Sequence, residues 1–225
     1  MKTYAIIPSG GESKRFGGEI PKQYFNINGK EIIVYTLEVF QNCELIDEIV
    51  IAAKPEYFAL LNEIKEKYNL NKISKIVEGG KERQDSVFNA LSSIAAEEND
   101  LVSVHDAARP LLPNQILLNA LNAAEKFDSI VTALKARDTL IKGRETVDEY
   151  LNRNEIYYAQ TPQIFRYKIL MDAMRKAYKE NLTGTDESMI VKNAGYEVKI
   201  IEGDLRNFKI TNSSDIDLFK SIISN

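Results

Sequence analysis

The chain has 225 residues, with 29 Lys and Arg against 33 Asp and Glu, and the resulting net charge of −4 excludes a nucleic-acid binder held by bulk positive charge. Hydrophobic residues at 44% and charged residues at 28% match a folded globular protein and exclude long disordered segments. A single cysteine, Cys43, excludes an internal disulfide and a cysteine-rich metal site, so the expected setting is the reducing cytoplasm. No apolar run approaches the roughly 18 residues of a membrane helix, and the stretch at 4–8 is too short for a signal peptide.

Taken in chain order, strand-length apolar runs occur at Tyr4–Ile7, Glu48–Ala53, Lys75–Val77, Leu101–Val104 and Ser129–Leu134. Between them lie helical patterns at Glu31–Gln41, Pro55–Tyr68, Arg83–Ala96 and Asn114–Phe127, with apolar residues three and four apart. This alternation predicts an α/β fold: right-handed crossovers and a mostly parallel central sheet with helices on both faces, an architecture of the nucleotide-binding type. Residues 135–161 break the rhythm. They are polar and turn-rich, with strand candidates at Thr146–Tyr150 and Ile156–Ala159, and a stretch of that length is expected to project as an arm at about 136–160. Helical patterns return at Tyr167–Glu180 and Asp186–Asn193. Strand-like runs follow at Glu197–Glu202 and Asn207–Thr211, and a last helix begins at Asn212, with Asp215 placed to complete its cap. No repeat or Pro/Gly/Ser linker interrupts the chain, so one domain over 1–225 is expected.

Three segments carry chemistry. The first strand runs into Pro8-Ser-Gly-Gly-Glu-Ser-Lys-Arg-Phe-Gly-Gly18, with Lys22 four residues on. Small residues at Ser9, Gly10 and Gly11 admit an anion to the backbone N–H groups, and Lys14, Arg15 and Lys22 match a polyphosphate. The segment is neither a P-loop nor a G-x-G-x-x-G fingerprint, which lowers the expectation of a kinase or dehydrogenase; a plain glycine turn with surface bases is the alternative. The second is Glu78-Gly-Gly-Lys-Glu-Arg-Gln-Asp-Ser86, where Ser86 and free helix N–H groups suit a base edge or an anion. Its alternative is an ordinary capped helix start. The third is Val104-His-Asp-Ala-Ala-Arg-Pro110 at a strand end, where Asp106 suits a divalent cation or a ribose hydroxyl and Arg109 a phosphate or the loop itself. His105 is the only histidine, and with no nucleophile elbow beside it the favoured role is structural hydrogen bonding.

Together with Arg137-Asp-Thr139, Arg153, Gln160-Thr-Pro-Gln163, Thr185-Asp-Glu187 and Asn207-Phe-Lys-Ile-Thr211, these segments resemble, in order and over essentially the whole chain, the 2-C-methyl-D-erythritol 4-phosphate cytidylyltransferase family. The resemblance implies a Rossmann-like nucleotidyltransferase fold with a projecting β-arm, and attack by a polyol phosphate on the α-phosphorus of CTP with loss of pyrophosphate. It assigns Arg15, Lys22, Lys209 and Asp106 to catalysis, and Ser9, Gly10, Gly11, Gly80, Arg83 and Ser86 to the nucleotide. It gives the polyol phosphate Asp106, Arg109, Thr139, Arg153 and Thr185. Mg²⁺ is expected as cofactor, carried mainly by the CTP phosphates with Asp106 as a candidate ligand, and the arm is expected to build a homodimer in which Arg153 serves the neighbour's site. Neither nucleic acid nor membrane is an expected partner. Four positions depart from the usual pattern: Gly10, Ser13, Lys81 and Arg206. Ribitol-5-phosphate cytidylyltransferases share the same motifs and are the nearest rival reading, and a non-catalytic nucleotide sensor on this fold is the rival of another class.

Overall fold

The protein is described by a computed structural model over residues 1–11 and 20–224. Its first strand, β1 (Thr3–Pro8), alternates Tyr4 and Ile6 into one core and Ala5 and Ile7 into the other. A strand buried on both faces has no polar side, which is why its sequence reads as an unbroken apolar run. A 3₁₀ turn at Lys22–Tyr24 leads to a small hairpin of β2 (Asn26–Ile27) and β3 (Lys30–Glu31). Its turn residues Asn28 and Gly29 have φ of 53° and 82°, the left-handed pair that a two-residue hairpin turn requires.

The chain continues through α1 (Ile32–Gln41), β4 (Glu48–Ala53), α2 (Phe58–Lys67), β5 (Ile73–Glu78), α3 (Arg83–Ser93), β6 (Leu101–Val104), α4 (Asn114–Ala124) and β7 (Ser129–Lys135). Strands β8 (Leu140–Gly143) and β9 (Val147–Leu151) pair only with each other, and β10 (Tyr157–Arg166) returns to the main sheet. Helices α5 (Tyr167–Lys179) and α6 (Glu187–Asn193), strand β11 (Lys199–Glu202) and helix α7 (Ser213–Ile223) complete the order. Helix α7 opens with the expected capping box, Asn212 accepting from the Asp215 N–H and Asp215 reciprocating.

The seven-stranded sheet has the order β11-β7-β10-β6-β1-β4-β5, parallel throughout except for β10. Helices α1, α2 and α4 pack on one face around Leu37, Phe40, Leu61 and Leu117, and α3, α5 and α6 on the other around Leu91, Leu170, Met174 and Val191. The winding direction reverses between β1 and β6, so the crevice beyond their carboxyl ends is where an open α/β sheet receives a ligand.

Two expectations need correction. The Ile156–Ala159 run is no arm strand: residues from Tyr157 onward belong to β10, which pairs Tyr157 with Lys135 and runs antiparallel between β6 and β7. The arm proper is the β8–β9 hairpin. Pro162 sits where the pairing of β10 with β7 shifts register, the position in a sheet that tolerates a missing N–H. Residues 207–211 form no strand, because Asn207 is tied into the site below. Among the described residues no helix is long and apolar enough to cross a membrane.

Candidate active site

A cleft of about 350 Å³ opens at the carboxyl ends of β1, β5 and β6, within the size range of small-ligand sites. Its first wall follows β1. The buried Ser9 hydroxyl donates to the Tyr24 hydroxyl at 2.8 Å, and Gln23 Nε2 donates to the carbonyls of Ser9 at 2.7 Å and Gly11 at 3.2 Å. The turn 22–24 is thereby folded beneath the loop, and Lys22 faces the cleft beside Gly10 and Gly11. Burial pushes the Tyr24 phenol up to about 12, so this anchor stays a neutral hydroxyl pair. Ser9 therefore holds the loop through its side chain. Arg15 lies outside the described residues, as do Lys14 and Ser13.

The second wall is the start of α3. Glu82 and Asp85 form a capping box, so Ser86 is left to bond elsewhere, and its Oγ accepts the Gly80 N–H at 3.1 Å and donates to the Glu82 carbonyl at 3.2 Å. Gly80 is required there, since a Cβ would lie 2.0 Å from the Asp85 Cβ. Gly10 approaches Ser86 from the opposite wall, its notional Cβ 3.5 Å from the Ser86 Oγ. The glycine rims and Ser86 thus enclose one slot. Lys81 also lines the cleft, whereas Arg206 turns back onto its own Asp204 at 2.9 Å.

Asp106 forms the floor. Its Oδ1 accepts from Arg83 Nε at 3.1 Å, and its Oδ2 from Arg109 Nε at 3.2 Å and Lys209 Nζ at 3.0 Å. Burial alone would raise this carboxyl, but Arg83, Lys209 and Arg109 together hold it well below the usual carboxylate range. Arg109 also donates to the Asn207 carbonyl at 2.8 Å and so steadies the segment that carries Lys209. Behind Asp106, the Thr161 hydroxyl of β10 accepts the Asp106 N–H at 3.1 Å and reaches His105 Nδ1 at 3.1 Å. His105 Nε2 faces the Arg109 carbonyl at 3.2 Å, and a carbonyl only accepts, so the proton sits on Nε2 and Thr161 donates to Nδ1. Burial lowers the His105 imidazole to about 4. It is neutral and structural, as its sequence context suggested.

Gln160 donates to the Asp204 carbonyl at 2.9 Å, and Asn207 Nδ2 donates to the Thr161 carbonyl at 2.7 Å. Gln163 donates to Asp186 Oδ2 at 2.9 Å. This polar layer under the cleft holds the Lys209 segment and the start of α6, and residue patterning missed it because every partner is remote in sequence. Glu187, also given no role by its motif, is fully buried against Arg83.

The structure does not bring Thr139, Arg153 and Thr185 into the cleft. Thr139 is exposed before β8, Arg153 donates to the Arg137 carbonyl at 2.9 Å in the exposed arm, and the Thr185 hydroxyl meets Met189. Among the described residues no group of three or more His, Cys, Asp or Glu side chains is arranged to hold a metal ion.

Residues 3–225 match the family model for 2-C-methyl-D-erythritol 4-phosphate cytidylyltransferase, IspD. An enzyme of that name from Clostridium botulinum is 38% identical over 224 residues, covering 99% of this chain and 97% of that protein. One from Clostridium perfringens is 39% identical, with 99% of both chains covered. The crystal structure of the Francisella tularensis 2-C-methyl-D-erythritol 4-phosphate cytidylyltransferase superposes with a TM-score of 0.84 at 32% identity, covering 98% of this chain and 99% of that one. The Anaerococcus prevotii 4-diphosphocytidyl-2C-methyl-D-erythritol synthase gives 0.87 at 27% identity, covering 100% and 96%.

Proposed function

The chain belongs to the 2-C-methyl-D-erythritol 4-phosphate cytidylyltransferase family, and we propose on that premise that it joins CTP to 2-C-methyl-D-erythritol 4-phosphate in the glycine-rimmed cleft, releasing pyrophosphate. The observation that carries this reading is the convergence on one floor, Asp106, of Arg109 from its own loop and of Arg83 and Lys209 from two distant segments, opposite Lys22 and the Gly10 and Gly80 loops.

The slot between Gly10, Gly80 and Ser86 suits cytosine, and the N–H groups at Gly10 and Gly11 with Lys22 and Arg15 suit the triphosphate. A phosphate oxygen of the polyol phosphate attacks the α-phosphorus of CTP, the bond to the bridging α–β oxygen breaks, and pyrophosphate leaves. That nucleophile is already ionised near pH 7, its second pKa being about 6, so no general base is needed. A neutral, enclosed His105 fits this. Charge builds on the phosphorus oxygens in the transition state, where Lys22 and Lys209 stabilise it, and Asp106 holds Lys209 in place.

Mg²⁺ fits as a passenger of the nucleotide. Asp106, which lines the cleft together with Glu82, would with phosphate oxygens make a donor set that such an ion accepts. When bound it would supply charge neutralisation at the triphosphate.

Ile141, Val147 and Tyr150 are exposed on the arm and support a homodimer that buries them, with Arg153 and Thr139 reaching the polyol phosphate at the neighbour's cleft. The lone cysteine supports a reducing, cytoplasmic setting. The test is pyrophosphate release with CTP and Mg²⁺, comparing methylerythritol 4-phosphate with ribitol 5-phosphate and omitting each substrate in turn. Strong preference for the first is expected; preference for the second, or CTP binding without turnover, contradicts the reading.

A further inference from the structure

Glu187 is a carboxylate with no access to solvent, two residues beyond the last position to which its motif assigned a role. Both of its oxygens accept from Arg83 Nη1, at 2.6 and 2.8 Å, while Arg83 Nε donates to Asp106 at 3.1 Å. One guanidinium thus bridges a carboxylate on α6 and the carboxylate on the floor of the cleft. Burial raises the Glu187 carboxyl and the Arg83 charge opposes it, which is the balance expected of an enclosed ion pair.

Holding α6 in place does not explain this arrangement. The α3, α5 and α6 faces already share an apolar cluster that includes Val87, Leu91, Met174, Ile190 and Val191. Gln84 in addition fastens the connection before α6 to α3, accepting the Gly184 N–H at 2.9 Å and donating to the Leu182 carbonyl at 3.2 Å. A buried ion pair is a weak stabiliser compared with apolar side chains of the same volume, so a second fastening by charge points to orientation. What it orients can be traced atom by atom. Glu187 fixes the far end of the guanidinium, Arg83 presents Nε to one oxygen of Asp106, and the other oxygen holds Lys209 at 3.0 Å.

We propose that Glu187 is a positioning residue for cytidylyl transfer, acting through Arg83 and Asp106 to set where the Lys209 ammonium stands. The inference rests on the cytidylyltransferase reading above. Misplacing a catalytic group by about 1 Å is enough to cost on the order of 100-fold in rate. Glu187→Gln keeps the shape and one acceptor oxygen but removes the charge, so kcat falls between about tenfold and 100-fold. The Michaelis constant for CTP changes by less than about threefold, because the base slot at Gly80 and Ser86 is left intact.

The experiment measures steady-state pyrophosphate release from CTP and methylerythritol 4-phosphate for the wild type, Glu187→Gln, Arg83→Gln and the double variant, with thermal melts of each. The expected result is the loss in kcat for Glu187→Gln and a double variant no slower than Arg83→Gln within about twofold, since groups acting as one unit do not add. An unchanged kcat in folded Glu187→Gln, whatever its melting temperature, overturns the proposal, as does a double variant whose losses multiply. If Glu187→Gln does not melt cooperatively, Arg83→Lys decides. Its single ammonium cannot span both carboxylates, and a kcat within about twofold of wild type contradicts the proposal. Absence of turnover in the wild type would overturn the functional reading and this inference with it, whereas turnover unaffected by Glu187→Gln overturns the inference alone.

Discussion

On the floor of the cleft, side chains hold one another. Asp106 is gripped by Arg83, Arg109 and Lys209, Arg83 by Glu187, and the Asp106 backbone by Thr161, which leans on His105. On the β8–β9 arm the reverse holds: Tyr150 is 70% exposed, Ile141 57%, and Arg153 stands in solvent with a bond to a neighbouring carbonyl. A cation network closed within one chain is fixed in advance, which suits charge stabilisation. An arm with apolar side chains facing water is the kind of surface that the proposed homodimer would cover. The comparison divides the molecule into a part tied together within the chain and a part whose proposed work is to meet a partner.

Four substitutions would break or sharpen that division. Asp106→Ala has the largest expected effect: it leaves Arg109 and Lys209 without their counter-charge and Arg83 with Glu187 alone, which costs about 3 to 5 kcal/mol in stability and takes turnover to background. Chemical denaturation and the pyrophosphate assay check both halves. Lys22→Ala comes next, with kcat lower by about 100-fold to 1,000-fold and a smaller change in CTP affinity, because a charge aimed at the transition state acts on the chemical step. An unchanged rate would remove Lys22 from the mechanism.

The third concerns pH. The unfolded chain protonates its histidine near pH 6.5, while folded His105 resists protonation until about pH 4, so acidification through that window favours unfolding. Between pH 7 and 5 this costs about 2 kcal/mol. Asp106, depressed far below the carboxylate range, keeps its contribution until the pH falls below about 4, and Glu187, raised by burial, works in the opposite sense to His105. His105→Gln should therefore remove about 2 kcal/mol of the pH dependence in urea unfolding at the two pH values, and an unaltered slope would show that the imidazole charges in the folded state. The smallest effect on the fold belongs to the arm. Tyr150→Lys should change unfolding of the monomer by less than about 0.5 kcal/mol while weakening self-association at least tenfold in sedimentation velocity. A large loss of fold stability would mean that the arm belongs to the core.

Much of the architecture was legible because buried parallel strands declare themselves. Tyr4–Ile7, Glu48–Ala53 and Leu101–Val104 are apolar on both faces, and the helices between them carry their periodicity openly. Strand β10 was legible only at its start, where Tyr157–Ala159 fall in a predicted strand run, and its place in the main sheet was not. Gln160, Thr161 and Gln163 are buried polar residues satisfied by Asn207, His105 and Asp186, partners that no local window contains, and Pro162 interrupts them with a residue that central strands rarely hold. The Asn207–Thr211 run failed in the other direction: its alternation looked like a strand, but Asn207 is spent on β10 and on Arg109. The site shows the same split. The glycine loops, Lys22 and Asp106 stood out because close backbone approach and clustered charge leave a local signature. Glu187 left none, since its partner Arg83 lies 104 residues away.

The central claim, a cleft from one chain completed by the arm of another, is tested most directly by mixing two inactive proteins. Lys22→Ala subunits lack a cleft cation and Arg153→Ala subunits lack an arm residue, so a mixed dimer carries one intact site and one doubly defective site. Equimolar exchange of differently tagged subunits should restore about a quarter of wild-type pyrophosphate release, half of the dimers being mixed with one working site each. Verified mixed dimers that remain as slow as their parents would contradict the claim.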